Sequence, residues 1–329
     1  MKATHSFKSG GPSFAAGQSI SKPPSQVERF VDRWFYRAAM VGAVLVLVLI
    51  ALILWEIGGK AVPAIRDYGL AFLTKTSWNV QKQDFGILPQ IWGTLYSSFL
   101  ALAIGGLVGI VLAIFLTQDF LPSRVALVFR TIIEMLAAIP SVVFGLWGIF
   151  VVIPAIRPAA DWLHSHFPWI PFFSSSLSGP GMMPAVLVLA IMILPTVAAI
   201  SQDALHLVPF KIKEAAYGMG TTHWEAILKV LVPTAATGIF SALVLGFGRA
   251  LGETMALAML IGNSNQITLS LFSPANTLAS LMASNFPEAA EVERRALMYA
   301  ALVLLAITLI VNVLGTAILT RTTRRLAEK

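Results

Sequence analysis

Cysteine is absent from the 329 residues, and charge is scarce: aspartate, glutamate, lysine and arginine make up only 12%. The first absence excludes a disulfide framework and any thiolate metal or redox centre. The second excludes an ordinary soluble domain, in which about a quarter of residues are charged. A third absence concerns catalysis. No G-x-x-x-x-G-K-[ST] phosphate loop occurs, so the chain is not expected to hydrolyse ATP itself. There is also no repeat of solenoid period. What the chain does have is apolar residues, 57% of the total, gathered into long runs. That composition is expected of an integral membrane protein.

A bilayer core is crossed by about 20 apolar residues in a helix. Six runs qualify, near 38–57, 94–116, 128–153, 184–203, 236–262 and 297–319. They predict an all-α integral membrane fold with six transmembrane helices. Pro140 is expected to kink the third span. Trp34, Trp55, Trp92, Tyr96, Trp162 and Trp169 fall where interfacial anchors are expected. With the N-terminus placed inside, the inner segments hold 15 lysines and arginines and the outer loops 7, leaving Arg249 within a span. Both termini are therefore expected in the cytoplasm. The formal charge of +7 reads as this topology signal and not as a nucleic-acid footprint. Residues 1–30, rich in Gly, Ser and Pro, are expected to be a disordered cytoplasmic tail ahead of a permease domain at 31–325. A cleaved signal peptide is not expected, because the first apolar run is too long and follows that tail.

Two charges interrupt the fifth span: Arg249 and Glu253, at i and i+4, expected on one helix face. A lone charge at a span centre costs roughly 2.5–3.5 kcal/mol on the insertion scale. Both are therefore expected to face the bundle interior or a wet path, and pairing with each other lowers the cost. Flanking Gly248 and Gly252 suit close helix approach. A guanidinium matches a tetrahedral oxyanion with two parallel bonds and stays charged. A carboxylate beside it can temper that charge, or accept a bond from a protonated phosphate. Glu134, near the inner end of the third span, joins this path or pairs with Arg130. Asp203 is read as solvated. His164, His166 and Asp161, in an outer loop among aromatics, read as interface residues and not as a metal site. The stretch 287–295 reads as a solvated outer helix.

The loop at about 206–233 is the most informative. Pro209 opens a helix, Gly220 ends it with a left-handed turn, and Thr222-x-x-Glu225 is a capping box for a second helix. The pattern Glu214-Ala215-Ala216, three residues, then Gly220 resembles the EAA coupling loop of ABC importer permeases, with Val230-Leu231-Val232-Pro233 in place of the family's Ile-x-Leu-Pro. Three further blocks, "EMLAAIPSVVFGLWG", "ILPTVAAISQDAL" and "GRALGETMALAMLIGN", are similar to PstC-type permeases of phosphate importers, as is "SWNVQKQDFGILPQIWGTLYSS". The resemblance covers about residues 70–320. It implies a type I ABC importer permease in a bacterial plasma membrane, half of a phosphate pathway working by alternating access. The implied partners are a PstA-type permease in a heterodimer, two PstB-type ATPase subunits and a PstS-type phosphate-binding protein, with lipid around the spans and no nucleic acid. No cofactor is expected on this chain; ATP is used by the ATPase subunits. By motif, the pathway residues are Arg249 and Glu253, with Glu134 added from its position, and Glu214, Ala215, Ala216 and Gly220 are the coupling residues. A sulfate or molybdate permease, an ion-coupled secondary transporter and a membrane enzyme are the alternative readings.

Overall fold

The computed structural model describes residues 25–118 and 120–327; for Glu28 and residues 322–327 it describes the backbone. The chain divides into two units at Trp55. In the first, the chain is helical from Gln26, the start of α1 (Gln26–Tyr68), and its described side chains are exposed along the whole run. Of the expected disordered tail 1–30, residues 1–24 lie outside the described residues, and from Gln26 onward the chain is helical instead.

The second unit begins at Glu56. After α1 come α2 (Ala71–Thr74) and a two-stranded antiparallel hairpin, β1 (Trp78–Asn79) and β2 (Asp84–Phe85), with Trp78 opposite Phe85. Next, α3 (Leu88–Ala101) runs through a π turn at Leu102–Gly106 into α4 (Leu107–Thr117). Then come α5 (Ser123–Ala138), α6 (Ser141–Trp147), a second π turn at Gly148–Val152 and α7 (Ile153–His166). The long helix α8 (Met182–His206) leads to an elbow. The elbow consists of α9 (Phe210–Gly218), α10 (His223–Glu225), a third π turn at Ala226–Leu231, and α11 (Val232–Thr234). The rest is α12 (Ala236–Leu251), α13 (Met255–Leu260), α14 (Leu278–Asn285) and α15 (Glu291–Ala327).

Five helical runs are long and apolar enough to cross a bilayer: Arg29–Tyr68, Leu88–Thr117, Ser141–His166, Met182–His206 and Glu291–Arg321. A sixth is a bent pair, His223–Thr234 and Ala236–Leu251, angled by 69°. Most helices overrun the apolar windows read from sequence, because a helix continues into its polar flanks after hydropathy has fallen. The third span differs in kind. The expected run 128–153 is not one kinked helix: α5 stops at Ala138, Ile139 and Pro140 are extended (ψ 127° and 141°), and the crossing helix starts at Ser141. Proline pushes the residue before it out of the helical region. With Ile139 extended and Pro140 in the same conformation, the chain breaks completely.

The helix α8 is the centre of the bundle, packed against α3, α4, α5, α12 and α13. Apolar burial does little to drive helices together in lipid, so close backbone approach between small residues carries more of the association. The α4 side of α8 shows this. A Cβ on Gly109 would stand 3.0 Å from Val197 Cβ, and one on Gly105 would overlap the Ala190 carbonyl. At the end of the bundle opposite the elbow, α2, the hairpin, α14 and the start of α15 enclose a separate core of Phe72, Phe85, Ile87, Leu281 and Leu297. There Phe72 stacks on Tyr299, ring centroids 4.5 Å apart. The 287–295 stretch is not simply a solvated face. Glu293 is buried, and its Oε1 accepts bonds from Trp78 Nε1 (3.2 Å) and Asn285 Nδ2 (3.4 Å).

Candidate functional site

The fifth span does not keep the helix register expected around its two charges. The helix α12 ends at Leu251, residues 252–254 are not helical, and α13 restarts at Met255. Arg249 and Glu253 are therefore separated by the break, and among the described residues no ion pair or hydrogen bond joins them. Each has another partner. Arg249 Nη1 donates to Thr196 Oγ1 on α8 at 2.9 Å. Glu253 Oε1 accepts the Ala256 N–H at 3.3 Å, placing a carboxylate over the unpaired amides of a helix start. Its Oε2 has no partner among the described residues. Arg249 is exposed, whereas Ala250 and Leu251 beside it are each 1% exposed. Gly248 faces Asn312 of α15, where an added Cβ would meet Oδ1 at 3.3 Å; Gly252 faces its own chain only.

Thr196 was not singled out from the sequence. The signal that finds it is a hydroxyl directly after Pro195 in the otherwise apolar stretch 184–200. One turn further along α8, Ile200 lines two adjoining grooves of about 360 and 320 Å³, which share Ser241 of α12. The second continues past Asp203 and Thr237 to Leu207 and Pro209, the start of the elbow. Asp203 also lines a cleft of about 240 Å³ between α5 and α8. That cleft brings Glu134 together with Arg130, Gln202, Asp203 and His206. No ion pair links Glu134 to Arg130 among the described residues. Asp203, read from sequence as merely solvated, thus stands where the cleft and a groove meet.

The elbow follows the sequence closely. Pro209 is the residue before the first helical position of α9, one place earlier than expected. Gly220 has φ +82°, the left-handed conformation that glycine alone adopts freely. Thr221 N–H and Oγ1 both bond the Ala216 carbonyl (3.3 and 2.8 Å). The capping box between Thr222 and Glu225 is formed in both directions. Glu214 and Ala215 are exposed, and Ala216 turns inward at 6% exposure. Phe210 and Met219 stand out at the ends of the same helix, 69% and 86% exposed. His164, from the metal reading set aside above, bonds the Phe173 carbonyl through Nδ1 at 2.8 Å, and His166 stacks on Trp162.

Comparison with known proteins adds to this geometry. Residues 105–328 match the family model described as "binding-protein-dependent transport system inner membrane component". The phosphate transport system permease protein PstC of Haemophilus influenzae is 38% identical over 89% of this chain and 95% of its own length. That of Mesorhizobium japonicum is 36% identical over 92% and 94%. Among solved structures, a bacterial alginate ABC transporter in complex with a pentasaccharide-bound periplasmic protein aligns over 91% of this chain and 99% of its own, with TM-score 0.62 and 16% identity. The MetNI methionine ABC transporter in an inward-facing conformation aligns over 71% and 95%, with TM-score 0.54 and 17% identity. At those identities the structures speak to fold, which is that of an ABC importer permease. The chain belongs to the binding-protein-dependent transport inner membrane components and, among them, to the PstC phosphate transport permeases.

Proposed function

We propose that the chain is the permease subunit that forms one half of the translocation path of an ATP-driven phosphate importer. The subunit itself is non-catalytic and membrane-embedded. Arg249 carries the reading. A guanidinium in an apolar span, exposed on the single chain yet held by Thr196, occupies a surface that a second permease would complete. Phosphate leaving water for hydrocarbon meets a large Born penalty, and a fixed cation on the path offsets part of it. Glu253 lies across the break with Oε2 available, an acceptor for a protonated phosphate oxygen, which fully ionised sulfate lacks. Glu134, in the cleft with Asp203 and Arg130, lies on the same route nearer the elbow.

The helix with Glu214, Ala215 and Ala216, closed by Gly220, docks on an ATPase subunit, with exposed Phe210 and Met219 as its apolar contacts. The partners are a PstA-type permease, a pair of PstB-type ATPase subunits that bind and hydrolyse ATP, and a PstS-type binding protein on the opposite face. This chain holds no cofactor. The membrane is the bacterial plasma membrane, with both termini and the elbow in the cytoplasm. ATP-driven closure of the ATPase pair moves the elbow and shifts the bundle between two states, because the nucleotide favours one of them.

The test is labelled phosphate uptake into vesicles carrying the assembled importer, with sulfate as competitor. Arg249→Ala should abolish uptake while the variant still inserts and copurifies with its partners. Wild-type uptake by an inserted variant would refute the role. Uptake that follows a proton gradient and ignores ATP would replace the importer reading with an ion-coupled one, and stronger competition by sulfate would change the cargo.

A further inference from the structure

We infer that His223 ties the coupling helix α9 to the elbow end of the second span, so that a pull on α9 enters the bundle through α4. The inference rests on the importer reading above and adds to it a residue outside the coupling motif.

The chemistry of the bonds fixes the arrangement. His223 Nε2 lies 3.2 Å from the Gln118 carbonyl oxygen, at the end of α4. A carbonyl can only accept, so Nε2 carries the proton. In the neutral ring Nδ1 is then an acceptor, and the Tyr217 hydroxyl, 2.7 Å away on α9, donates to it. One imidazole therefore bonds both elements at once, donating to α4 and accepting from α9. Its position is fixed by neighbours on both sides. The preceding residue, Thr222, is the N-cap of α10 and is held by the capping box with Glu225. The ring of Phe120 meets His223 edge-on at 4.9 Å, and Phe120 in turn stacks on Phe115 of α4 at 5.4 Å.

What lies beyond α4 makes this attachment matter. Among the described residues, the other packing of α9 is chiefly against residues 226–231 of its own elbow. The helix α4 is set against α8 by Gly109 on Val197, and the preceding residue of α8, Thr196, holds Arg249. The contacts therefore run from α9 through His223 into α4, across to α8, and on to the guanidinium in the fifth span. A displacement of α9 that carried Gln118 with it would reach the residue that meets the anion.

The experiment uses the complete importer in proteoliposomes and reads phosphate moved per ATP hydrolysed. His223→Phe keeps a ring against Phe120 and removes both bonds; the ratio should fall about tenfold, the fold-change expected for two lost hydrogen bonds. Tyr217→Phe removes one bond and should lower it about threefold. His223→Gln, whose amide can donate to Gln118 and accept from Tyr217, should restore the ratio, which a purely packing role for the ring would not predict. A wild-type ratio in His223→Phe, or a loss that Gln does not rescue, overturns the inference. Should the Phe variant fail to assemble, Tyr217→Phe decides, and an unchanged ratio there overturns it equally. Failure of the wild-type importer to move phosphate would instead count against the reading beneath it.

Discussion

The chain breaks a helix at two glycines by opposite means. At Gly220 the backbone turns left-handed, the Ala216 carbonyl of α9 is claimed twice by Thr221, and a capping box starts the next helix. Every part of that turn comes from about a dozen consecutive residues. At Gly252 φ is −91°, a value open to any residue, and no left-handed turn forms. The helix resumes three residues later, seated among neighbours distant in sequence: α6, α8 and α14 all pack on α13. The first bend is written locally and the second is imposed by packing. The two should therefore fail to different substitutions.

The largest effect is expected from disturbing the neighbours of the second bend. Gly145 on α6 faces α13, where an added Cβ would come within 2.6 Å of Met259 Sδ and 3.4 Å of Ala256 Cα. Gly145→Leu should destabilise the complex by about 1–3 kcal/mol, the usual cost of overpacking, and displace Glu253 from its cap on Ala256. Thermal unfolding of the purified importer measures the first and phosphate uptake the second. If the variant matches wild type in both, the break near Arg249 is not held by α6, and the contrast between the bends loses its basis.

The glycines themselves supply the converse test. At Gly220 a side chain must adopt φ +82°, at roughly 1–2 kcal/mol. At Gly252 the nearest atoms to an added Cβ are carbonyls of its own helix, 3.8 Å away, so alanine should change stability by no more than about 0.5 kcal/mol. Hydrogen exchange across 216–226 should quicken in Gly220→Ala, whereas exchange across 248–260 should stay unchanged in Gly252→Ala. Equal damage from both would mean that the second bend is also a property of its own sequence.

This contrast also explains what could be read in advance. The elbow was legible residue by residue, because caps and left-handed turns are decided by the few residues that make them. The spans were legible as apolar runs, though not their ends, since hydropathy falls before the helix does. The two charges of the candidate site stand out in composition, but their register does not follow the sequence spacing. Arg249 and Glu253 fit an i, i+4 pair on any continuous helix, and Gly252 between them does not by itself announce a break, since it takes no left-handed turn. The partner of Arg249, Thr196, is 53 positions away, a separation over which helix periodicity says nothing. Glu134 and Asp203 share a cleft for the same tertiary reason.

The smallest effect belongs to a second locally written feature, at the end of the bundle opposite the elbow. Asp84 in the hairpin accepts from Lys75 Nζ at 2.7 Å and Ser77 Oγ at 2.6 Å. The lysine bond first, and then the serine bond, hold its carboxyl below the usual aspartate range. The folded value is the lower one, so the contribution is fully present above the ordinary aspartate pKa and is lost as pH falls through the depressed value. Because the pair is well exposed, water screens it and the contribution is small. Amide exchange over residues 75–87, compared between neutral pH and acid, should show a modest loss of protection in wild type. In Asp84→Asn that protection should already be lower at neutral pH and should not fall further in acid. An acid response of wild-type size in the asparagine variant would place the pH sensitivity of this end elsewhere. It would also mean that short-range bonding does not govern the hairpin as it governs the turn at Gly220.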